Sequence, residues 1–385
     1  MKNILITGGD GFCGWPTSLL LKSYGHNVVI VDNFKRRNID LELGVNSITN
    51  IKTLNQRLKT AKDIVGHIDF IYCDVSKDYD KLKNIIKEYN IDTIIHFAEQ
   101  KSAPYSMIDS EHMRYTIDSN INGVSNVLNA IVEVNKDIHL VHLGTMGVYG
   151  YKDEFGEIPE GYLDITVKST GKDTSILFPT DPGSVYHMTK SLDQILFYFY
   201  NKNWGLKITD LHQGIIWGTQ TEQTKLHTDL VNRFDYDGQW GTVLNRFVAQ
   251  AAINHPLTVH GTGGQTRAFI HLNDSVNCIR LSVENPPEKN KRVRIFNQVT
   301  ECLTVRDLAK LISDKTGVEI HNQTNPRKER AENGLKVSNN GLLNLGHKAI
   351  TLNDELLNDI FFLAENYKDN IIKENIIAKV KWNNI

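Results

Sequence analysis

Short apolar, β-branched runs alternate with amphipathic segments through the first half of the chain, at 3–7, 28–31, 70–72, 93–97, 139–143 and 208–211. These runs lack in/out alternation, so each predicts a strand buried on both faces, and the intervening helical patterns predict what covers them. The expected fold is α/β: a Rossmann-like, doubly wound parallel sheet, with ligands seated beyond the carboxyl ends of the strands.

After Gln213 the pattern changes to loops rich in Gly, Thr, Asp and Asn, at 218–241 and 261–264, interleaved with helices such as 244–253. From Thr304 onward it is mostly helical, with a β-like piece near 317–320 and a helix from Asp354 that runs into a polar tail. The expected organisation is a dinucleotide-binding domain over 1–212, to which segments at about 245–300 return. A smaller, discontinuous α/β substrate domain is expected over 213–244 and 301–385.

Composition narrows the classes of function. With 385 residues, 40% hydrophobic and 23% charged, the chain is long enough for a large and a small buried core. A formal net charge of -2 provides no basic footprint for nucleic acid or an anionic membrane. Cys13, Cys73, Cys278 and Cys302 show neither CxxC pairing nor spacing with His that would hold a metal, so neither a disulfide framework nor a metal site is expected. No apolar run is long enough to span a bilayer and no leader pattern opens the chain, which predicts a cytoplasmic protein with small-molecule partners.

Thr7-Gly8-Gly9-Asp10-Gly11-Phe12-Cys13-Gly14 follows the first strand and opens a helix. Gly8, Gly11 and Gly14 fall where a tight turn and close approach to a pyrophosphate leave no room for side chains, and the helix N-terminus supplies N–H donors. Asp32, at the end of the second strand, is placed to accept hydrogen bonds from the adenosine ribose, which favours NAD over NADP. Arg36 and Arg37 offer the alternative of holding a 2′-phosphate or simply lying in a solvated loop. Asn33, Asp74, Val75, Asn120 and the strand-end residues Phe97, Ala98 and Glu99 complete the expected cofactor side, together with Asp10, Phe12 and Cys13 of the loop. Asp74 and Asn120 read equally as turn or capping residues.

Tyr186 and Lys190 stand one helical turn apart and project from one face. A phenol has an ordinary pKa of ~10, which a neighbouring ammonium lowers, so the pair is suited to take a hydroxyl proton as hydride leaves for a nicotinamide. Thr145, just past the fifth strand, is expected to share the same substrate oxygen.

Beyond these local signals, a longer set of segments occurs in order: Gly8-Gly9-Asp10-Gly11-Phe12-Cys13-Gly14-Trp15, then 96–107, 143–147, 186–190, 212–214, 232–237, 263–267 and 296–298. In these the chain closely resembles the UDP-sulfoquinovose synthase family of extended short-chain dehydrogenases/reductases, from the first strand to about Ala331. The resemblance implies conversion of UDP-glucose and sulfite to UDP-sulfoquinovose with tightly held NAD. The implied course is oxidation at C4, loss of the C6 hydroxyl through a 4-keto-5,6-ene, sulfite addition at C6 and return of hydride.

Typical 4,6-dehydratases of this superfamily follow the Thr with Asp and Glu, where this chain has Met146 and Gly147. His187 is therefore expected to move protons in the elimination, with Glu99 as a second candidate and a packed helix histidine as the alternative. Lys101 replaces an arginine, and Val148 a glutamate, of the plant members. The absence of a plastid transit segment points to a prokaryotic cytosolic member.

Arg267 and Arg327 are expected on the diphosphate, because guanidinium forks fit phosphate oxygens. Gln213, Arg233, Asn245 and Gln265 are the other expected substrate contacts. The resemblance also implies a homodimer and leaves open whether free sulfite or a donor protein brings sulfur. The competing readings are an NAD-dependent epimerase or dehydratase, and a non-catalytic NAD-sensing protein on the same fold.

Overall fold

The computed structural model describes residues 1–150, 154–327, 329–352 and 354–377. Seven strands form its central sheet: β1 (Asn3–Thr7), β2 (Asn27–Asp32), β3 (Asp69–Tyr72), β4 (Thr93–His96), β5 (His139–Thr145), β6 (Lys207–Gln213) and β7 (Arg294–Gln298). All pairs are parallel, in the order β3-β2-β1-β4-β5-β6-β7.

The alternating Cβ directions of β1 explain its unbroken apolar run. Ile4 and Ile6 pack with Trp15 and Leu19 of helix Gly14–Ser23 and with Val276, Ile279 and Val283 of helix Leu272–Glu284. Leu5 faces the other way, into a layer with Val124 and Val127 of helix Ser110–Val134 and Phe197 of helix Val185–Trp204. Each fully buried Ile or Leu contributes about 1.5–3 kcal/mol relative to exposure.

The strand order reverses between β1 and β4, and a crevice opens there above Gly8 and Phe97. The register of β5 on β6 sets Thr145 beside Gln213 at the same carboxyl edge.

A second core gathers Trp217, Phe234, Phe247, Phe269, Leu308 and Leu357. Its framework is the sheet of Ile215–Trp217, Thr266–His271 and Glu301–Thr304, the pair Leu257–His260 with Ile320–Gln323, and helices Val243–Ala252, Val305–Thr316 and Asp354–Asn366. Helix Val243–Ala252 and strand Leu257–His260 thus pack in this core, so the expected return near 245 is corrected: the elements on the large sheet are helix Leu272–Glu284 and β7. The polar tail over 378–385 lies outside the described residues.

Two features are not foreseen by the apolar pattern. Strand β7 carries buried Asn297 and Gln298 in place of an apolar run. The hairpin Tyr162–Val167 with Lys172–Leu177 lies largely at the surface and needs no apolar signature.

Candidate active site

The crevice is a cleft of about 440 Å³, with the glycine loop on one wall and the second core on the other. Close backbone packing explains the loop composition: a Cβ on Gly14 would lie 2.1 Å from the Gly8 carbonyl oxygen. Gly8, Gly11, Phe12, Cys13 and Gly14 line the cleft, and the helix that begins at Gly14 has its N-terminus there. Bare backbone, a helix N-terminus and a strand-end carboxylate together fit a dinucleotide.

Asp32 lines the cleft and accepts hydrogen bonds from the amides of Asp10 (3.0 Å) and Phe34 (2.7 Å). Burial, followed by the nearby Asp10 charge, pushes its carboxyl up to about 6. Asn33, Asp74, Val75, Phe97 and Ala98 line the same region.

Several expected contacts prove to be scaffolding. Asp10 is held by Arg37 Nη2 (2.9 Å) and by the fully buried Arg57 (2.8 Å), whose guanidinium stacks 4.0 Å from the Trp15 ring. Arg36 pairs with Asp40 and Asp235 and stacks 3.9 Å over Trp240. Both candidate arginines are paired with carboxylates, and Arg36 also lines the cleft. Asn120 is buried away from the cleft, bonded to Gln100 and Thr189. Arg233 is buried between Asp40 and Asp235, and Asn245 secures the backbone of Gly218.

The catalytic side is set by one helix start. Ser184 caps helix Val185–Trp204 by accepting from the His187 amide, so Tyr186 falls in the first turn and Lys190 one turn later. Tyr186, His187, Lys190, Thr145 and Gln213 all line the cleft. Lys190 Nζ donates to the Leu143 carbonyl (2.8 Å) and pairs with Glu99 Oε2 at 2.6 Å. Glu99 also accepts from His142 Nε2 (2.9 Å), so this carboxylate is engaged by two cationic neighbours and is withdrawn from the role of elimination acid or base.

Glu99, His142 and Asp193 bring ligand atoms within 4.8 Å of one another, but the Lys190 ammonium already places a cation among them. His187 bonds Ser184 Oγ through Nδ1 (3.0 Å). Burial, reinforced by Arg327 and Arg267, pushes it down to about 3, so it faces the cleft as neutral imidazole and not as the near-neutral titrating group expected.

On the opposite wall, Gln265, Arg267 and Arg327 line the cleft, and Arg267 is paired with Glu329. Arg246, absent from the sequence expectation, lines it too, with its guanidinium anchored on the Gly241 carbonyl (2.9 Å). Lys101 lines the cleft 3.5 Å from Asp235, with its ammonium 4.9 Å from the Phe12 ring.

The sequence matches the NAD dependent epimerase/dehydratase family over residues 4–297. It is 42% identical to the chloroplastic UDP-sulfoquinovose synthase of Spinacia oleracea, an alignment covering 100% of this chain and 80% of the relative. It is 38% identical to the UDP-sulfoquinovose synthase of Sulfolobus acidocaldarius over 98% of this chain and 97% of that one. The chain belongs to the UDP-sulfoquinovose synthase family.

It is an NAD-dependent enzyme that modifies a nucleotide sugar, and a UDP-sugar is its substrate class. In fold it is similar to a UDP-glucose 4-epimerase of Thermotoga maritima solved with UDP-glucose, at TM-score 0.70 and 20% identity, covering 95% of this chain and 99% of that one. A dTDP-glucose 4,6-dehydratase of Bacillus anthracis solved with NAD is similar at TM-score 0.68 and 18% identity, covering 96% and 98%. Among the described residues no helix is long and apolar enough to cross a membrane.

Proposed function

We propose that this member of the family converts UDP-glucose and sulfite to UDP-sulfoquinovose. The observation that carries the reading is the seat of His187 on Gly147, at the position where a 4,6-dehydratase carries its second acid. There is no room for that acid: a Cβ on residue 147 would lie 2.4 Å from His187 Nε2.

In this reading the unit built around the second core, which includes helix Val243–Ala252 and strand Thr266–His271, carries the nucleotide sugar. Arg246, Arg267 and Arg327 take the diphosphate, and Gln213 and Gln265 lie along the sugar and its nucleotide. Bound NAD supplies the acceptor for the C4 hydride and returns it at the end of the cycle. Tyr186 accepts the O4 proton, Lys190 stabilises the phenolate, and Thr145 orients the hydroxyl. The resulting 4-keto group acidifies C5–H. Neutral His187 takes that proton as the C6 hydroxyl departs, and the hydroxyl leaves as water once protonated. Sulfite then adds through sulfur at C6, a proton returns to C5, and the C4 alcohol is restored. UDP-glucose, sulfite and one proton thus give UDP-sulfoquinovose and water, with no net redox change.

Lys101 supplies a cation for the sulfur nucleophile, whether it arrives as free sulfite or from a donor protein. The enzyme is proposed to work in the cytoplasm as a homodimer. An epimerase would share Tyr186 and Lys190 but makes no use of His187. The test is to mix NAD-loaded protein with UDP-glucose in the absence of sulfite. Reduced nicotinamide that persists, and is reoxidised when sulfite is added, supports the reading; sulfite-independent reoxidation with release of UDP-galactose refutes it.

A further inference from the structure

At the back of the cleft, Lys190 stands in a buried cluster of ionisable groups that the reaction itself does not consume. The side chains of Glu99, His142, Lys190, Asp193 and Asp210 are each no more than 4% exposed. They form a chain: Lys190 Nζ to Glu99 Oε2 at 2.6 Å, Glu99 Oε1 to His142 Nε2 at 2.9 Å, and His142 Nδ1 to Asp210 Oδ1 at 2.8 Å. Asp210 Oδ2 continues it to His212 Nε2 at 2.9 Å, and His212 Nδ1 meets the Tyr149 hydroxyl at 2.6 Å.

Four elements converge here: β4 with its following loop, β5 with the turn after it, β6, and the helix carrying Lys190. The groups facing Lys190 are Glu99, His142, Tyr186 and Asp193, with His96 behind Glu99 at 3.6 Å. Burial pushes His96 down to about 3, so it adds no charge.

The two carboxylates near His142 Nε2 are not equivalent. Glu99 touches both Lys190 and His142. Asp193 lies 3.5 Å from His142 without a hydrogen-bond partner on either oxygen, whereas Glu99 Oε2 meets Lys190 as a close ion pair, though not in hydrogen-bond geometry. Burial and the Glu99 charge push the Asp193 carboxyl up, whereas Lys190 and His142 hold Glu99 down against the opposing effect of its burial. Burial alone would strip an ammonium of its proton, and the Glu99 charge is the first of the influences that reverse this for Lys190.

We propose that Glu99 is the positioning residue of the catalytic pair: its carboxylate is the contact counter-ion that keeps Lys190 charged and aimed at the cleft, while Asp193, as deeply buried on the same helix, acts on Lys190 only from longer range. The proposal rests on the assignment of Tyr186 and Lys190 as the reacting pair. A fixed counter-ion explains how a buried ammonium stays charged, with Leu143 O, His142 Nε2 and Glu99 Oε2 around it on the protein side of the cleft. His142, locked by Asp210, holds the other oxygen of Glu99 and so fixes the carboxylate in rotation.

The test compares Glu99→Gln, Glu99→Asp and Asp193→Asn with the wild-type full chain loaded with NAD. Two quantities are read: the pH profile of nicotinamide reduction by UDP-glucose in a single turnover, and the near-ultraviolet phenolate titration of Tyr186, taken as the difference from Tyr186→Phe in each background. Removing the counter-ion makes the Lys190 proton easier to lose, and the phenolate then loses the ammonium that stabilises it. In Glu99→Gln the limb set by Lys190 therefore moves to lower pH and the phenolate titration to higher pH, each by about one unit or more. Glu99→Asp keeps the charge and moves less, and Asp193→Asn shifts them much less than Glu99→Gln.

A Glu99→Gln enzyme that is slower but has unmoved limbs would overturn the proposal, as would Asp193→Asn shifting them as far. If Glu99→Gln does not fold, the ordering of Glu99→Asp against Asp193→Asn decides in the same way. If UDP-glucose fails to reduce NAD in the wild type, the substrate assignment falls, and the phenolate titration still decides the role of Glu99.

Discussion

The imidazole of His187 rests on the backbone of Gly147, so that a Cβ there would lie 2.2 Å from its Cδ2 and 2.4 Å from its Nε2. Glycine at 147 is thus a packing requirement of the histidine. Replacing His187 by Asn is expected to preserve nicotinamide reduction by UDP-glucose within a few fold. Exchange of the C5 proton with solvent and sulfonate formation should fall by about 10²–10⁴. Gly147→Glu should mimic this by displacing the ring. Rapid-quench analysis with deuterated solvent separates the two steps, and undiminished C5 exchange in His187→Asn removes the histidine from the mechanism.

Asp32 gives a pH dependence whose sign can be worked out. Its carboxyl is pushed up to about 6, and ribose hydroxyls donate to the ionised form, so NAD binding pulls the proton off. Affinity for NAD is therefore level above about pH 6 and falls by up to about tenfold for each unit below it. Calorimetric titration of cofactor-stripped protein across this range measures it, and Asp32→Asn should flatten the profile.

Arg267 is paired with Glu329 in the cleft. A diphosphate must compete with that carboxylate for the same guanidinium, and the carboxylate also repels it. Glu329→Gln is expected to lower KM for UDP-glucose several fold with kcat little changed, whereas Arg267→Ala raises KM. A Glu329→Gln variant with raised KM would show that the ion pair instead presents the arginine correctly.

Leu192, Ile195 and Phe199 recur along one face of helix Val185–Trp204 and remain 39%, 59% and 50% exposed. Apolar residues at this spacing on the helix that carries the catalytic pair favour burial against a second copy. Ile195→Glu with Phe199→Glu should convert a dimer to a monomer by sedimentation velocity, and a wild-type protein that is monomeric at high concentration would refute the assembly.

How much of this is legible in the sequence depends on whether a residue's task is local. The glycine loop, Asp32, and the Tyr186 and Lys190 pair work through spacing along one strand-turn-helix unit, and spacing is what a sequence displays. The contacts that differ from expectation are polar residues whose partners are remote in sequence. Arg233 finds Asp40 and Asn245 finds Gly218, and nothing local separates such a residue from a ligand contact. Arg57 is hidden for the opposite reason: its helix, Leu54–Ile64, reads as solvated, yet the guanidinium is fully buried on Trp15 and Asp10.

The cluster behind Lys190 did leave a trace. His142, Asp210 and His212 interrupt strands that are buried on both faces, where a titratable group is costly unless paired. Those interruptions mark where a charge network must run, although not what it holds in place.

The most direct test of the proposed activity is mass spectrometry of the nucleotide sugars formed by the purified, NAD-loaded protein with UDP-glucose, with and without sulfite. The account predicts a sulfonated UDP-hexose that appears only when sulfite is present. UDP-galactose or a 4-keto-6-deoxy sugar as the sole product, unchanged by sulfite, would contradict it.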